Sequence, residues 1–307
     1  MKRIFHPTDF SPASDVAFSH ALKLTLLVGG NLTIFHFAKR EPAEHEAGEL
    51  DTDAAPTSPG ARGAAPHVGH SASGLPGLRQ RFPRVRDTLS DWGLLSRGAG
   101  PAEVARLGVT IRKVEVVGDD PTEAMIDYLE DRPVDLLVLA THQRSGLARW
   151  LYRPVAEPLA RQIDAMALFV PPGIDGFVAC ETGQVRLSSV LIGIDQSPRP
   201  ALATAAAFAQ AVGDGSTLMR LLHVGDEASL PRLQPPHDTG LTWETKVATG
   251  GDVVERVLEA AQASNAALIV LTTQGRTGVL DALRGTTSER IIRGARCPIL
   301  TIPAGRR

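Results

Sequence analysis

Cysteine is nearly absent from this sequence, with two in 307 residues. Cys180 and Cys297 lie far apart and form no CxxC pair and no Cys/His spacing of a metal site, a pattern expected of a reducing compartment. Excess charge is missing too. Lys plus Arg number 32 against 34 Asp plus Glu, a formal net charge of −2, so there is neither a basic stripe for nucleic acid nor an acidic tail. No apolar run reaches the roughly 18 to 20 residues of a membrane span, and the N-terminal MKRIFHPTDF has no apolar core of signal-peptide length. A cytoplasmic protein with no nucleic-acid or membrane partner is the expectation. Standard catalytic signatures are also lacking: there is no Gly-x-Ser-x-Gly elbow, no His-Glu-x-x-His and no Walker lysine.

What the chain does contain is a repeat. Ile4-Phe5 leads to Asp9-Phe10-Ser11-Pro12, and Val190 to Ile194 leads to Asp195-Gln196-Ser197-Pro198, the same strand, Asp and Ser-Pro order twice. A helical stretch and a second strand follow in each copy, ending at His36-Phe37 and at His223-Val224. Beyond these, a constant offset of 132 pairs Gly118 with Gly250, Ala140 with Thr272, Ser145-Gly146 with Thr277-Gly278 and Pro171 with Pro303. Each copy reads strand, helix, strand, strand, helix, strand, helix, strand. Its apolar runs, such as Leu136 to Leu139 and Leu268 to Leu271, have the near-continuous hydrophobicity of a parallel sheet covered on both faces. The fold class is therefore α/β, with two tandem five-stranded, doubly wound domains: residues 1–173, a linker at 174–187, and residues 188–305.

The first copy carries about 55 additional residues between Phe37 and Gly118. From Glu41 to about Gly77 they are rich in Ala, Pro, Gly, Ser and His, without the apolar periodicity that offsets ordering entropy. A flexible insertion over about 40–105 is expected, with Arg79 to Leu95 able to add a packed helix through Val85, Leu89 and Trp92. His67 and His70, with His45 and Glu44, lack a framework to orient them, so no metal site is expected.

Chemistry is concentrated in the second copy. Strand Leu268 to Leu271 runs into Thr272-Thr273-Gln274-Gly275; nine residues later Gly285-Thr286-Thr287-Ser288 opens a helix. Glycines let backbone N–H groups approach anionic oxygens, and hydroxyls at a helix N-terminus add donors, so this reads as a phosphate cradle. Asp195 ends the first strand, where open parallel sheets place ligands. The plainer reading is that the glycines shape turns and that Asp9 and Asp195 cap the helices beginning near Ser11 and Ser197.

A strand ending in Asp195, a second ending in His223-Val224 and the late Gly275-x9-Gly285-Thr286 motif, in that order, resemble the universal stress protein family, whose fold is related to that of the adenine nucleotide alpha hydrolases. Arg276-Thr277-Gly278 and the closing Cys297 to Pro303 extend the likeness over nearly all of the chain outside the insertion. The resemblance implies ATP, with or without Mg²⁺, or a related adenine nucleotide, held by Ile194, Asp195, Val224, Leu271, Thr272, Gln274, Gly275, Gly285, Thr286, Thr287 and Ser288. Thr272 stands where the motif has its first glycine and is expected to restrict the turn there. In the first copy Asp9 persists, but Ala140, His142, Gln143, Arg153 and Pro154 replace the cradle, and Pro154 has no N–H to give. An empty or repurposed pocket is expected in that half.

The family likeness also implies that the last strands, Ala167 to Val170 and Pro298 to Ile302, pair within the chain as a pseudo-dimer, with a homodimer and an unidentified protein partner as further possibilities. Three functions are compatible with these residues: a nucleotide-binding stress-response regulator that is not a fast enzyme, a ligand-free stress-response scaffold, and a slow ATPase or self-phosphorylating protein for which no general base stands out.

Overall fold

The computed structural model describes residues 1–39, 82–141, 165–194, 199–236, 239–273 and 287–303. In the first half, β1 (Arg3–Thr8), α1 (Pro12–Val28), β2 (Asn31–Lys39), α2 (Val85–Asp91), α3 (Pro101–Arg106), β3 (Thr110–Gly118), α4 (Pro121–Glu130), β4 (Leu136–Ala140) and β5 (Met166–Val170) follow one another. The second half contains β6 (Ser189–Gly193), α5 (Arg199–Val212), β7 (Leu218–Val224), β8 (Thr242–Ala248), α6 (Val253–Ala263), β9 (Leu268–Thr273), α7 (Thr287–Gly294) and β10 (Ile299–Pro303). The 132-residue offset recurs in the element starts: β3 and β8, α4 and α6, and β4 and β9 each begin 132 positions apart.

All ten strands form one sheet in the order β3-β2-β1-β4-β5-β10-β9-β6-β7-β8. Every pairing is parallel except the central one, β5 with β10. There Ile299 faces Phe169, Leu300 faces Leu168 and Thr301 faces Ala167. Leu168 and Leu300 are repeat equivalents, so the register is symmetric about that pair, the signature of an isologous two-fold contact written into one chain. The expected intrachain pseudo-dimer is present.

Two apolar layers cover the sheet, and each crosses the central pairing. One joins α1 and α5 over Leu168, Val170, Leu300 and Ile302; the other joins α4, α6 and α7 over Ala167, Phe169 and Ile299. α1 forms because Ser11 caps it, its Oγ accepting from Ser14 N, with Pro12 in the first turn and Gly29 closing it at φ 58°. Asp9 does not cap this helix; its Oδ1 accepts from Ser11 N and shapes the entering turn. At the start of β1, burial opposes the Asp135 carboxylate, but the Arg3 side chain and the N–H groups of Lys2 and Arg3 outweigh it and hold its pKa well below the carboxylate range.

One expectation needs correction: the insertion is not flexible throughout 40–105, since residues 40–81 lie outside the described residues but from Phe82 onward the chain packs, with Phe82, Val85, Leu89 and Trp92 in the core, the last three at and beside the helix the sequence allowed for. The linker at 174–187 is itself a packed element. Phe177 is fully buried between α1 and α5, 4.6 Å from the His20 ring and 6.2 Å from that of Phe208. His20 Nδ1 donates to Val16 O at 2.8 Å, leaving Nε2 to accept from the N–H groups of Phe177 (3.1 Å) and Val178 (3.3 Å). Trp92 Nε1, at the C-cap of α2, holds the other end by donating to Cys180 O at 2.7 Å. Gly176 at φ 73° passes so close to His20 that a Cβ would sit 2.3 Å from Nε2.

This arrangement needs a neutral imidazole. Desolvation by burial lowers the His20 pKa to about 4, and does the same to His6, whose Nδ1 donates to Val138 O. An unfolded imidazole titrates near 6.5, so the unfolded chain binds more protons between about 6.5 and 4, and stability must fall as pH drops through that window. NMR titration should find both rings neutral at pH 5.5 while the urea midpoint declines from pH 7 to 5; ordinary midpoints for the two rings would contradict this reading.

Candidate functional site

In the second half the strand order reverses between β6 and β9, the switch point at whose carboxyl end open α/β sheets bind ligands. The register Ile192↔Val270 between β6 and β9, and Gly193↔Leu222 between β6 and β7, continue outward to place Thr272, Ile194 and His223 in one row across three strands. Residues in one row share a face of the sheet. Leu271 belongs to the next row on the other face, buried against the α6 layer, where its Cδ2 leaves little room for any side chain at Gly193.

The row's polar atoms are not satisfied internally. Ser229 Oγ gives its only proton to Asp226 O at 2.6 Å, so at its 2.9 Å contact with His223 Nε2 the hydroxyl accepts and the ring donates. His223 Nδ1 is thereby left as an acceptor, and it is buried with no hydrogen-bond partner. Thr272 Oγ1 is in the same condition, about 10 Å away across β6 by strand spacing. Buried polar atoms without partners are uncommon because each forfeits its hydration. Two flanking one residue at a switch point make this row the candidate site.

Thr272 is not in a turn. β9 runs on to Thr273, and Thr272 lies in the ladder opposite Ile302, where a β-branched residue fits the pleat. The expected restriction of a turn by its Cβ is therefore corrected. Val224 ends β7 beside this row, and α7 begins at the predicted Thr287, exposed, followed by the half-buried Ser288. Arg290 ties α7 to α6 by bonding the Asp252 carboxylate at 3.0 and 3.3 Å. Asp195, Gln274, Gly275, Gly285 and Thr286 lie outside the described residues, as do His142, Gln143, Arg153 and Pro154 of the first half.

At the matching place in the first half the row is Ala140, Thr8 and His36, and it is closed. His36 Nδ1 donates to Thr8 O at 2.9 Å, the opposite tautomer to His223. Phe10, held at φ 61°, lies 4.1 Å from the His36 ring by centroids, and Phe82 closes on both at 5.6 and 6.1 Å. Lys113 Nζ covers Phe82 and donates to Pro83 O. Protein rings thus occupy the crevice beyond β1 and β2.

Comparison with known proteins agrees with this architecture. The family model described as the universal stress protein family matches residues 1–171 and 240–303. The chain belongs to the universal stress protein family. A universal stress protein of Mycobacterium tuberculosis is 26% identical over 207 residues, covering 61% of this chain and 68% of that protein. A shorter match of 36% identity over 63 residues, 20% of this chain and 37% of the relative, is to a universal stress protein of Methanocaldococcus jannaschii. The crystal structure of a universal stress protein from Archaeoglobus fulgidus aligns over 98% of this chain and 95% of its own, with a TM-score of 0.56 at 14% identity, a likeness of fold.

Sequence reasoning placed His36 and His223 as equivalent strand-end residues but missed that they hold opposite tautomers. It also missed Ser229, which sets the His223 tautomer as the Thr8 carbonyl sets that of His36, and Phe82, which packs on the His36 ring. If Phe82 is the plug of the first-half crevice, Phe82→Ala should cost about 3 kcal/mol of unfolding free energy. Urea denaturation measures this directly; a change below about 0.5 kcal/mol, as for an ordinary surface site, would contradict the plug.

Proposed function

We propose that this universal stress protein binds one adenine nucleotide per chain, ATP foremost, at the carboxyl ends of β6, β7 and β9, and works as a regulatory binding module rather than a fast enzyme. The observation that carries the proposal is the row of Thr272, Ile194 and His223, with buried unpartnered polar atoms on either side of an apolar side chain. An acceptor at His223 Nδ1 suits the exocyclic amine of adenine or a ribose hydroxyl, and Thr272 Oγ1 can both give and accept. Phosphates would extend toward Gly275 and the Gly285 to Ser288 segment at the start of α7, with or without Mg²⁺, where a helix N-terminus favours anions.

The first half supports the stoichiometry. Its crevice holds Phe10, His36 and Phe82, and its counterpart of Gly285 is Arg153. Equilibrium dialysis with labelled ATP and Mg²⁺ should give one site per chain, with affinity at least about tenfold lower in Gly285→Arg and in His223→Phe. No retained ATP on the wild-type protein, or undiminished binding by both variants, would overturn the proposal and favour the scaffold. Phosphate release measured in parallel should stay near background.

A further inference from the structure

The two halves differ again on the opposite face of the sheet. In the first half Phe5, Phe35 and Tyr128 pack ring against ring, with centroids 5.4, 5.9 and 5.5 Å apart, and the Arg132 guanidinium sits 4.7 Å above Tyr128. Strand register and the 132 offset assign their counterparts as Leu191, Leu222, Ala260 and Ser264. Three rings and a guanidinium have become two leucines, an alanine and a serine. These four residues lie along a groove of about 400 Å³ between β6, β7, β8 and α6, open to solvent where Glu244, Thr245 and Lys246 are exposed and floored by the buried Leu191 and Leu222. Its volume is that of a small-molecule site.

Charge has moved in the other direction. Where the first half has Thr33, Arg112 and Val114, the groove wall carries Arg220, Glu244 and Lys246. Arg220 Nη1 pairs with Glu244 at 3.2 Å, while Arg220 Nε is buried without a partner. Two cations face one carboxylate, and the guanidinium is only partly satisfied, which leaves the wall suited to an added anion.

We infer that this groove binds a small aromatic carboxylate: its ring takes the place that the first half fills with its own rings, against Leu191, Leu222 and Ala260, and its carboxylate lies on Arg220 and Lys246. The site is separate from the proposed nucleotide crevice, lying on the other face of the sheet, and does not depend on it.

Phenylacetate and benzyl alcohol, titrated into the full ¹⁵N-labelled chain, test the inference by NMR. Phenylacetate should cause saturable shifts at residues 220–222 and 260–264 and bind at least about tenfold more tightly than benzyl alcohol. Ala260→Tyr, which restores the first half's ring, should abolish both sets of shifts. Arg220→Gln should weaken phenylacetate about tenfold and leave benzyl alcohol unchanged. Absence of saturable shifts in the wild type, undiminished binding by Ala260→Tyr, or equal affinity for the two probes would overturn the inference. If circular dichroism shows that Ala260→Tyr does not fold, the contrast between the probes on Arg220→Gln decides it, and an equal effect on both probes refutes it.

Discussion

Three residue pairs hold this molecule's architecture together. Parallel βαβ units leave one unpaired edge at β5 and another at β10, apolar apart from Thr301, and unpaired edges of that kind invite association. Antiparallel pairing about Leu168 and Leu300 satisfies both edges at once and makes two five-stranded sheets one. Because the repeats meet through equivalent residues, the apolar layers on either face become continuous across the junction. The linker follows from the same constraint: it must cross the pseudo-two-fold axis, and it does so as a packed element, with Phe177 in the groove between α1 and α5 and its backbone bonded to His20.

Duplication within one chain frees each half to change alone, and the changes are reciprocal. At the carboxyl ends of the strands the first half has filled its crevice with Phe10, His36 and Phe82, while the second half keeps unpartnered atoms on His223 and Thr272. On the opposite face it is the first half that packs rings together and the second that carries an open groove. A single proton illustrates how local the control is. Ser229 accepts from His223 Nε2 and so turns Nδ1 into an acceptor; in the first half the Thr8 carbonyl makes the equivalent nitrogen a donor.

Much of this was legible in the residues. Offsets between the repeats anticipated where β3, β4 and α4 have counterparts, because strands and helices that share a core keep their spacing. The central strand pairing was implied by the family likeness. Other features left no local signal. Phe82 reaches Phe10 and His36 across more than forty residues of insertion, and a composition that reads as loop conceals an aromatic that docks. His20 is an unremarkable histidine in an apolar helix until Gly176 brings the linker backbone against it. Thr272 was read as a turn residue because the motif has glycine there, whereas the ladder with β10 carries the strand two residues further, to Thr273. The groove is visible only when Phe5, Phe35 and Tyr128 are set against Leu191, Leu222 and Ala260.

The most direct test of the account is a crystal structure of the full chain grown with a non-hydrolysable ATP analogue. The account predicts one nucleotide per chain, with its adenosine over Ile194 between His223 and Thr272, and the Phe10, His36 and Phe82 rings still closed in the first half. A nucleotide in the first-half crevice, or crystals saturated with the analogue in which the row at Ile194 remains bare, would contradict it.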